Sequence, residues 1–391
     1  MKNVHLVPTL SPRRLFLRHS TGLACALAFL LGGCGGGKNE GVIKVGEFAS
    51  LTGKESAFGE SSHRGTMLAL DELTAAGGVL GKKIQLLTED TQSKAGESQT
   101  VVNKLVSRDG VVAVLGEVAS GRSLEAAPVC QGAGVPMISP SSTNPDVTKS
   151  GDYIFRVCFI DPFQGTVMAN FATKTLKARR VALFTDAKSD YSKGLAKYFK
   201  QQYLKNGGEV VVELDFNGGD ADFKAQLTTI KGTSPDAVFV PGYYTDVALI
   251  CGQARQLGLD VPFFGGDGWE SDKLIELGKE AVEGHYFSTH YHPDVASAKS
   301  KAFVTAYKER YKSAPDAMAA LGYDSMMVLA DAIKRAGGTE GPKLKAALAA
   351  TRDFAGVTGN TTIDADRNAS KAAVILQVAK GQFRYLETIN P

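Results

Sequence analysis

Tryptophan occurs once in this chain of 391 residues, cysteine five times and histidine six, and no two cysteines stand in a CxxC pair. That scarcity removes zinc ribbons, c-type haem attachment and thioredoxin-like redox chemistry. Charge of neither sign dominates: 44 basic against 41 acidic residues leave a formal +3, and some of the basic excess lies in the first 18 residues, so a nucleic-acid or lipid-binding surface is not expected. Catalytic and phosphate motifs are missing as well. There is no GxSxG, HExxH or GxxxxGK[ST], and no GxGxxG after a strand, so the chain is not expected to be an enzyme or to hold a cofactor.

Long apolar runs are absent too. TGLACALAFLL, preceded by Arg13, Arg14 and Arg18, is too short to span a bilayer and has the proportions of a signal-peptide core. It ends in LGGC, which looks like a bacterial lipobox: residues 1–33 would be removed and Cys34 acylated, becoming the mature N-terminus. RRLFLR fits a twin-arginine signal, but basic residues begin most signal peptides, so the general and twin-arginine export routes both stay open. Residues 34–41, rich in glycine, read as a flexible tether. Beyond it stand Cys130, Cys158 and Cys251, an odd number, so at least one stays unpaired within a monomer.

What fills the chain from Val42 is alternation. VIKVGEF, KIQLLTED, VVAVLGE and PMISP have strand character, and SSHRGTMLALDELTAAGG and GESQTVVNKLVSRDG between them carry apolar residues at helical spacing and stop at glycine. A second series with the same rhythm starts near Arg180: VALFT, EVVVELDF, AVFVPGY and PFFGG, with helical patterns between them. DPFQGTVMANFATKTLK, between the series, reads as the first helix of the second unit, and helices near 297–312 and 317–337 precede a β-rich end. The fold class is therefore α/β, with two similar parallel sheets rather than one long one.

Ligands of open α/β sheets sit beyond the carboxyl ends of the strands. There the first unit offers VASGRS and SPSSTNP, rich in hydroxyls, and the second offers Tyr191, Tyr243, Tyr244, Asp267 and Trp269. One half suits an anion, the other a cation and an apolar body. The histidines of HYFSTHYH share a face if that segment is extended, but no further ligand completes a metal set, and surface histidines on a crossing strand are expected. DADRN, 364–368, imitates a calcium loop but lacks its glycine and final glutamate, and reads as a turn.

The run VIKVGEFASLTGKESAFGESSHRGTMLALDELTAAGGVLGKKIQLLTEDTQS, together with ISPSSTNPDVT, KSDYSKGLA, PGYYTDVALICGQARQLGL and FFGGDGW, resembles the periplasmic leucine/isoleucine/valine-binding proteins, type I solute-binding components of ATP-driven importers. The resemblance covers the chain from Val42 and implies two doubly wound lobes joined by three hinge crossovers, near Ile160, His290 and Arg367. On this division the N-terminal lobe is 42–160 plus 291–367 and the C-terminal lobe 161–290 plus 368–391. It also implies site roles. Ser120, Ser141 and Thr143 would receive a ligand α-carboxylate, Asp267 and Tyr243 would meet the α-ammonium, and Tyr191 would close over the ligand. Phe58 matches an aromatic near the side-chain pocket, and Trp269 would shape that pocket. Amino-acid binders of the family often carry glutamate where this chain has Asp267, so the ligand sits deeper or a water intervenes.

Physical chemistry supports those roles, because a zwitterion shut between lobes needs partners for both charges. Each residue also has a plainer reading: Ser139–Thr143 as a helix cap, Asp267 as a turn and the tyrosines as packing aromatics. The function expected is capture of a small apolar amino acid, of the branched-chain kind, by a monomeric lipoprotein anchored at Cys34. Delivery would be to a membrane permease and its ATPase subunits. A ligand of another class (amide, urea or aromatic acid) and a sensory module on the same fold remain as alternatives.

Overall fold

The computed structural model describes residues 41–294 and 297–391; the leader and Cys34 lie outside the described residues. The first sheet has the order β2-β1-β3-β4-β5 and is parallel throughout. Its strands are β1 (Val42–Ala49), β2 (Lys83–Asp90), β3 (Ala113–Leu115), β4 (Met137–Ser139) and β5 (Ile154–Arg156). β3 and β4 are short and wholly buried, reading AVL and MIS, as strands covered by helices on both faces do. The helices between these strands are α1 (Ser56–Ala75), α2 (Glu97–Asn103), α3 (Ser120–Ala133) and the single turn α4 (Asp146–Lys149).

The second sheet has the order β14-β13-β10-β9-β8-β6-β7. Its parallel part comprises β6 (Arg180–Asp186), β7 (Glu209–Phe216), β8 (Ala237–Phe239), β9 (Phe263–Gly265) and β10 (Tyr286–Thr289). Helices α5 (Asp161–Lys174), α6 (Asp190–Lys205), α7 (Lys224–Gly232), α8 (Tyr244–Gln256) and α9 (Asp272–Gly278) alternate with these strands. The chain then returns to the first sheet's side with α10 (Ala298–Tyr311), α11 (Ala317–Ala336), α12 (Gly341–Ala349) and the small ribbon β11 (Phe354–Gly356) and β12 (Gly359–Thr361). It crosses back to add β13 (Ala373–Val378) and β14 (Phe383–Ile389), both antiparallel to their neighbours. That hairpin departs from an all-parallel sheet because its short connection turns the strand straight back on its neighbour.

Two lobes result, each with its own core, the second continued by Phe58, Val118 and Met318 of the first lobe. Leu68, Ile138, Phe155, Leu321 and Leu329 belong to the first, and Phe184, Phe216, Phe263 and Phe287 to the second. Among the described residues the chain passes between them three times: Arg156 to Asp161, directly after Thr289, and Thr361 to Ala373. Cys130, Cys158 and Cys251 are all buried and free, and burial pushes the Cys130 and Cys158 thiols up to about 12. DADRN closes the Ile363–Ala369 bridge, with Arg367 N donating to Asp364 O at 3.1 Å.

α1 and α11 pack at very close range because each turns glycine toward the other. A Cβ at Gly65 would run into the carbonyl oxygen of Ala319, and one at Gly322 into that of Ser62. Gly65→Val is accordingly expected to destabilise the chain by about 1 to 3 kcal/mol, read from the urea midpoint at unchanged slope. An unshifted midpoint would mean that the helices can part at little cost.

The first crossover leads into α5 through Asp161, which is wholly buried with no hydrogen-bond partner for either carboxyl oxygen. Burial, partly offset by the neighbouring Thr143 hydroxyl and reinforced by the Asp267 charge, pushes its carboxyl up to about 8 from an ordinary 3.8. The folded chain thus keeps a proton that the unfolded chain releases, so stability is full below the unfolded value and falls as pH rises toward 8. Asp161→Asn should flatten that fall, gaining on the native chain by about 1 kcal/mol per pH unit between pH 5 and 8. Parallel stability curves for the two proteins would refute the assignment.

Candidate functional site

SPSSTNP, immediately after β4, divides its hydroxyls between two tasks. Ser139 Oγ donates to Glu117 O at 2.7 Å and accepts from Ser142 N at 2.9 Å, while Ser142 Oγ lies 2.9 Å from Glu117 O and 2.8 Å from Ser123 Oγ. Those two pin the loop to the segment between β3 and α3 and to the first turn of α3. Ser141 and Thr143 alternate with them. Ser141 Oγ lies 3.1 Å from His290 Nε2 and 3.4 Å from Asp267 Oδ2, and Thr143 Oγ1 is buried without a partner. Ser120, the first residue of α3, joins the loop by accepting from Asn144 N at 3.2 Å.

Below the loop lies a fully buried cation. Arg156, from the edge strand β5, reaches Ser142 O with Nη1 and donates to Asn144 O at 2.8 Å with Nη2. A guanidinium taken out of water needs such acceptors, and by holding two carbonyls it fixes the loop from beneath.

The second lobe contributes the opposite wall. Asp267 follows β9 in a single turn flanked by glycines and is only 4% exposed. Its Oδ1 accepts from Gln164 Nε2 at 2.9 Å and its Oδ2 lies 3.0 Å from His290 Nε2. The flanking glycine is required: a Cβ at Gly266 would stand 2.6 Å from Tyr191 Oη and 2.9 Å from Gln164 Nε2. Tyr191, near the start of α6, accepts from Gly268 N at 3.1 Å, and burial holds its hydroxyl well above the usual tyrosine range, so it stays neutral. Its ring stacks on Tyr243 at 5.3 Å and 8°, and Tyr243 meets the edge of Phe58 at 5.7 Å.

Ser141, His290 and Asp267 superficially resemble a nucleophile relay, but the geometry differs. Both partners meet the same ring nitrogen, Nε2, whereas a relay joins them through opposite nitrogens. The arrangement is a bridge between the lobes. Among the described residues no group of three or more His, Cys, Asp or Glu side chains is placed to hold a metal ion.

Of the residues expected from sequence, Ser141 and Asp267 therefore meet directly. Tyr191, Tyr243 and Phe58 form one row of rings, and Ser120 and Thr143 are tied to the loop that carries Ser141. Trp269 stands behind this row: its ring is wholly buried in the same apolar cluster as Phe58, with Nε1 donating to Val240 O at 2.9 Å and Phe287 at 6.3 Å. His290 differs from expectation, being 4% exposed rather than on the surface, because the chain turns inward after β10 and lays its ring on Phe159 at 3.8 Å.

Several contributors carry no motif. Val118 and Met318 join Phe58, Tyr244 and Trp269 in one apolar cluster spanning both lobes. Tyr244 bridges the lobes by donating to Lys54 O at 3.0 Å and accepting from Ala57 N at 3.3 Å. Glu270 likewise accepts from Ala317 N at 3.0 Å, at the start of α11, and burial beside Asp316 holds its carboxyl well above the usual range. At the cleft mouth Arg122 is paired with Glu55 and lies 3.8 Å from Glu117, so its charge is already taken. The one signal that could have pointed to these residues is position: Phe58, Val118, Arg122, Tyr244, Glu270 and Met318 all sit within two residues of a helix start.

Residues 42–382 match the family described as periplasmic binding protein. A leucine-, isoleucine-, valine-, threonine- and alanine-binding protein of Pseudomonas aeruginosa is 30% identical over 82% of this chain and 86% of its own. Among solved structures, a leucine-binding protein of Thermotoga maritima superposes with a TM-score of 0.87 at 43% identity, covering 89% of this chain and 99% of that one. A branched-chain amino-acid binding protein of Streptococcus pneumoniae, solved with isoleucine, gives 0.85 at 40%, covering 90% of this chain and all (100%) of that one. The match over residues 42–382 and these superpositions agree, and the chain belongs to the periplasmic binding protein family.

Proposed function

We propose that the chain is an extracytoplasmic solute-binding lipoprotein that captures an α-amino acid with a branched-chain or small apolar side chain and hands it to an ATP-driven importer. The observation that carries this is Asp267 beside Ser141, 3.4 Å apart across the cleft. Both charged groups of an α-amino acid sit on one carbon, so their partners must stand side by side. Asp267 and Tyr243 take the ammonium, and Ser120, Ser141 and Thr143 the carboxylate. The row of Phe58, Tyr191 and Tyr243, with Val118 and Met318 behind it, offers the ligand side chain an apolar wall. Trp269 backs that wall from within the second core.

The hinges lie near Ile160, His290 and Arg367, and the open form binds through the first lobe before the second swings in. Export by the leader and acylation at Cys34 would hold the protein at the outer face of the cytoplasmic membrane, beside permease and ATPase subunits. The leucine- and isoleucine-binding relatives support this ligand class over aromatic acids, although a protein of Rhodopseudomonas palustris with the same fold was solved with benzoate.

Calorimetric titration of the purified chain, unfolded and refolded to strip copurified ligand, tests the reading against leucine, isoleucine, valine, alanine and phenylalanine. Micromolar or tighter binding of at least one is expected, and Asp267→Ala should weaken it by about 10²- to 10³-fold by stranding the buried ammonium. Silence from all five in a folded sample would refute the amino-acid assignment. A second expectation concerns closure: Tyr244→Phe removes both bridging bonds and should speed ligand release about five- to tenfold with little change in the association rate. Stopped-flow tryptophan fluorescence, read from Trp269, measures both rates, and an unchanged release rate would show that the bridge does not hold the lobes together.

A further inference from the structure

Asp267 is one methylene shorter than glutamate, and its carboxylate is held on both oxygens before any ligand arrives. Gln164, wholly buried one turn into α5, spends both amide hydrogens: Nε2 donates to Asp267 Oδ1 at 2.9 Å and to Ser288 Oγ at 3.1 Å. His290 faces the other oxygen, with Nε2 3.0 Å from Oδ2. Its ring is clasped against Phe159, and its Nδ1 is buried without a partner. A proton on Nδ1 would be stranded there, so the ring carries its proton on Nε2 and donates to Asp267.

We propose that Gln164 and His290 are positioning residues for the ammonium end of the site, a two-donor clamp that fixes the carboxylate plane of Asp267. The inference rests on the amino-acid reading above. Gln164 comes from α5 and His290 directly follows β10, both packed on the second sheet, so the clamp is complete without the first lobe. Only Ser141 arrives from across the cleft. A carboxylate held this way loses no rotamer freedom when the ammonium binds, and the shorter side chain reaches its ligand by orientation rather than by length.

A double-mutant cycle with leucine separates a clamp acting through Asp267 from a general packing role. Gln164→Met keeps the volume and removes both donors; it should weaken leucine binding about tenfold in the native chain and less than about twofold in an Asp267→Asn background. His290→Phe should behave alike, whereas His290→Gln, which can present an amide nitrogen near the Nε2 position, should recover most of the loss. Equal losses in both backgrounds, or no loss in the native chain, would overturn the clamp. Thermal melts identify any variant that fails to fold, and Gln164→Asn, which keeps the amide but draws it back by one bond, then supplies the cycle. The cycle is run with leucine or, where leucine is silent, with whichever of the five amino acids binds; silence from all five brings down the amino-acid reading and the clamp together, while a native chain that binds with additive losses brings down the clamp alone.

Discussion

A carboxylate shut away from water between two lobes has to be met by donors, and much of the site follows from how Asp267 is met. Gln164 sits where it does because α5 begins directly after the first crossover, and His290 because the second crossover begins directly after β10. Ser141 comes from the first lobe on the loop after β4. Two of the three donors thus lie next to a hinge, and the third lies on the moving face. Asp267 is therefore met at the place where the chain crosses between the lobes.

The architecture was legible because each strand run and each helical run keeps its own period, and glycine marks the ends. Gly134 and Gly337 stop α3 and α11 in the left-handed conformation, as expected of such stops. The β11–β12 ribbon and α12 were not anticipated. The nine residues of α12 carry helical spacing only at Leu344, Ala347 and Leu348, and the three of GNT are too few for a period; α12 and β11 pack against α11. Short strands also shrank: VVAVLGE gives only Ala113–Leu115, since ladder bonds end where the chain turns into the cleft.

The site was legible where a loop is dense in one chemistry, as SPSSTNP is in hydroxyls and GGDG in a single charge between glycines. It was not legible where one residue acts alone. Gln164 in FQGT, Met318 in DAMAA and Tyr244 next to Tyr243 look like ordinary helix residues, and only the meeting of distant segments gives them partners. His290 was misjudged for a related reason. Alternation alone placed it on an open face, but the face it occupies is covered by Phe159 and Asp267 from other parts of the chain. Even within SPSSTNP, residue type could not separate Ser139 and Ser142, which hold the loop, from Ser141 and Thr143, which face the cleft.

Closure itself is built from helix starts. The first N–H groups of a helix have no acceptor within it and must find one outside. Ala57 at the start of α1 finds Tyr244 Oη, and Ala317 at the start of α11 finds Glu270 Oε1, both from the second lobe. When the lobes part, water can take the same places, so each bond adds only about 0.5 to 1.5 kcal/mol to the closed form. Contacts of that size align the lobes without locking them. The larger energies belong to the buried charges: on the function proposed above, Asp267 and the hydroxyl loop would be matched in full only by a group carrying both signs. Differential affinity for the closed state would then reside in the ligand, and the ligand would set how far the hinge equilibrium moves.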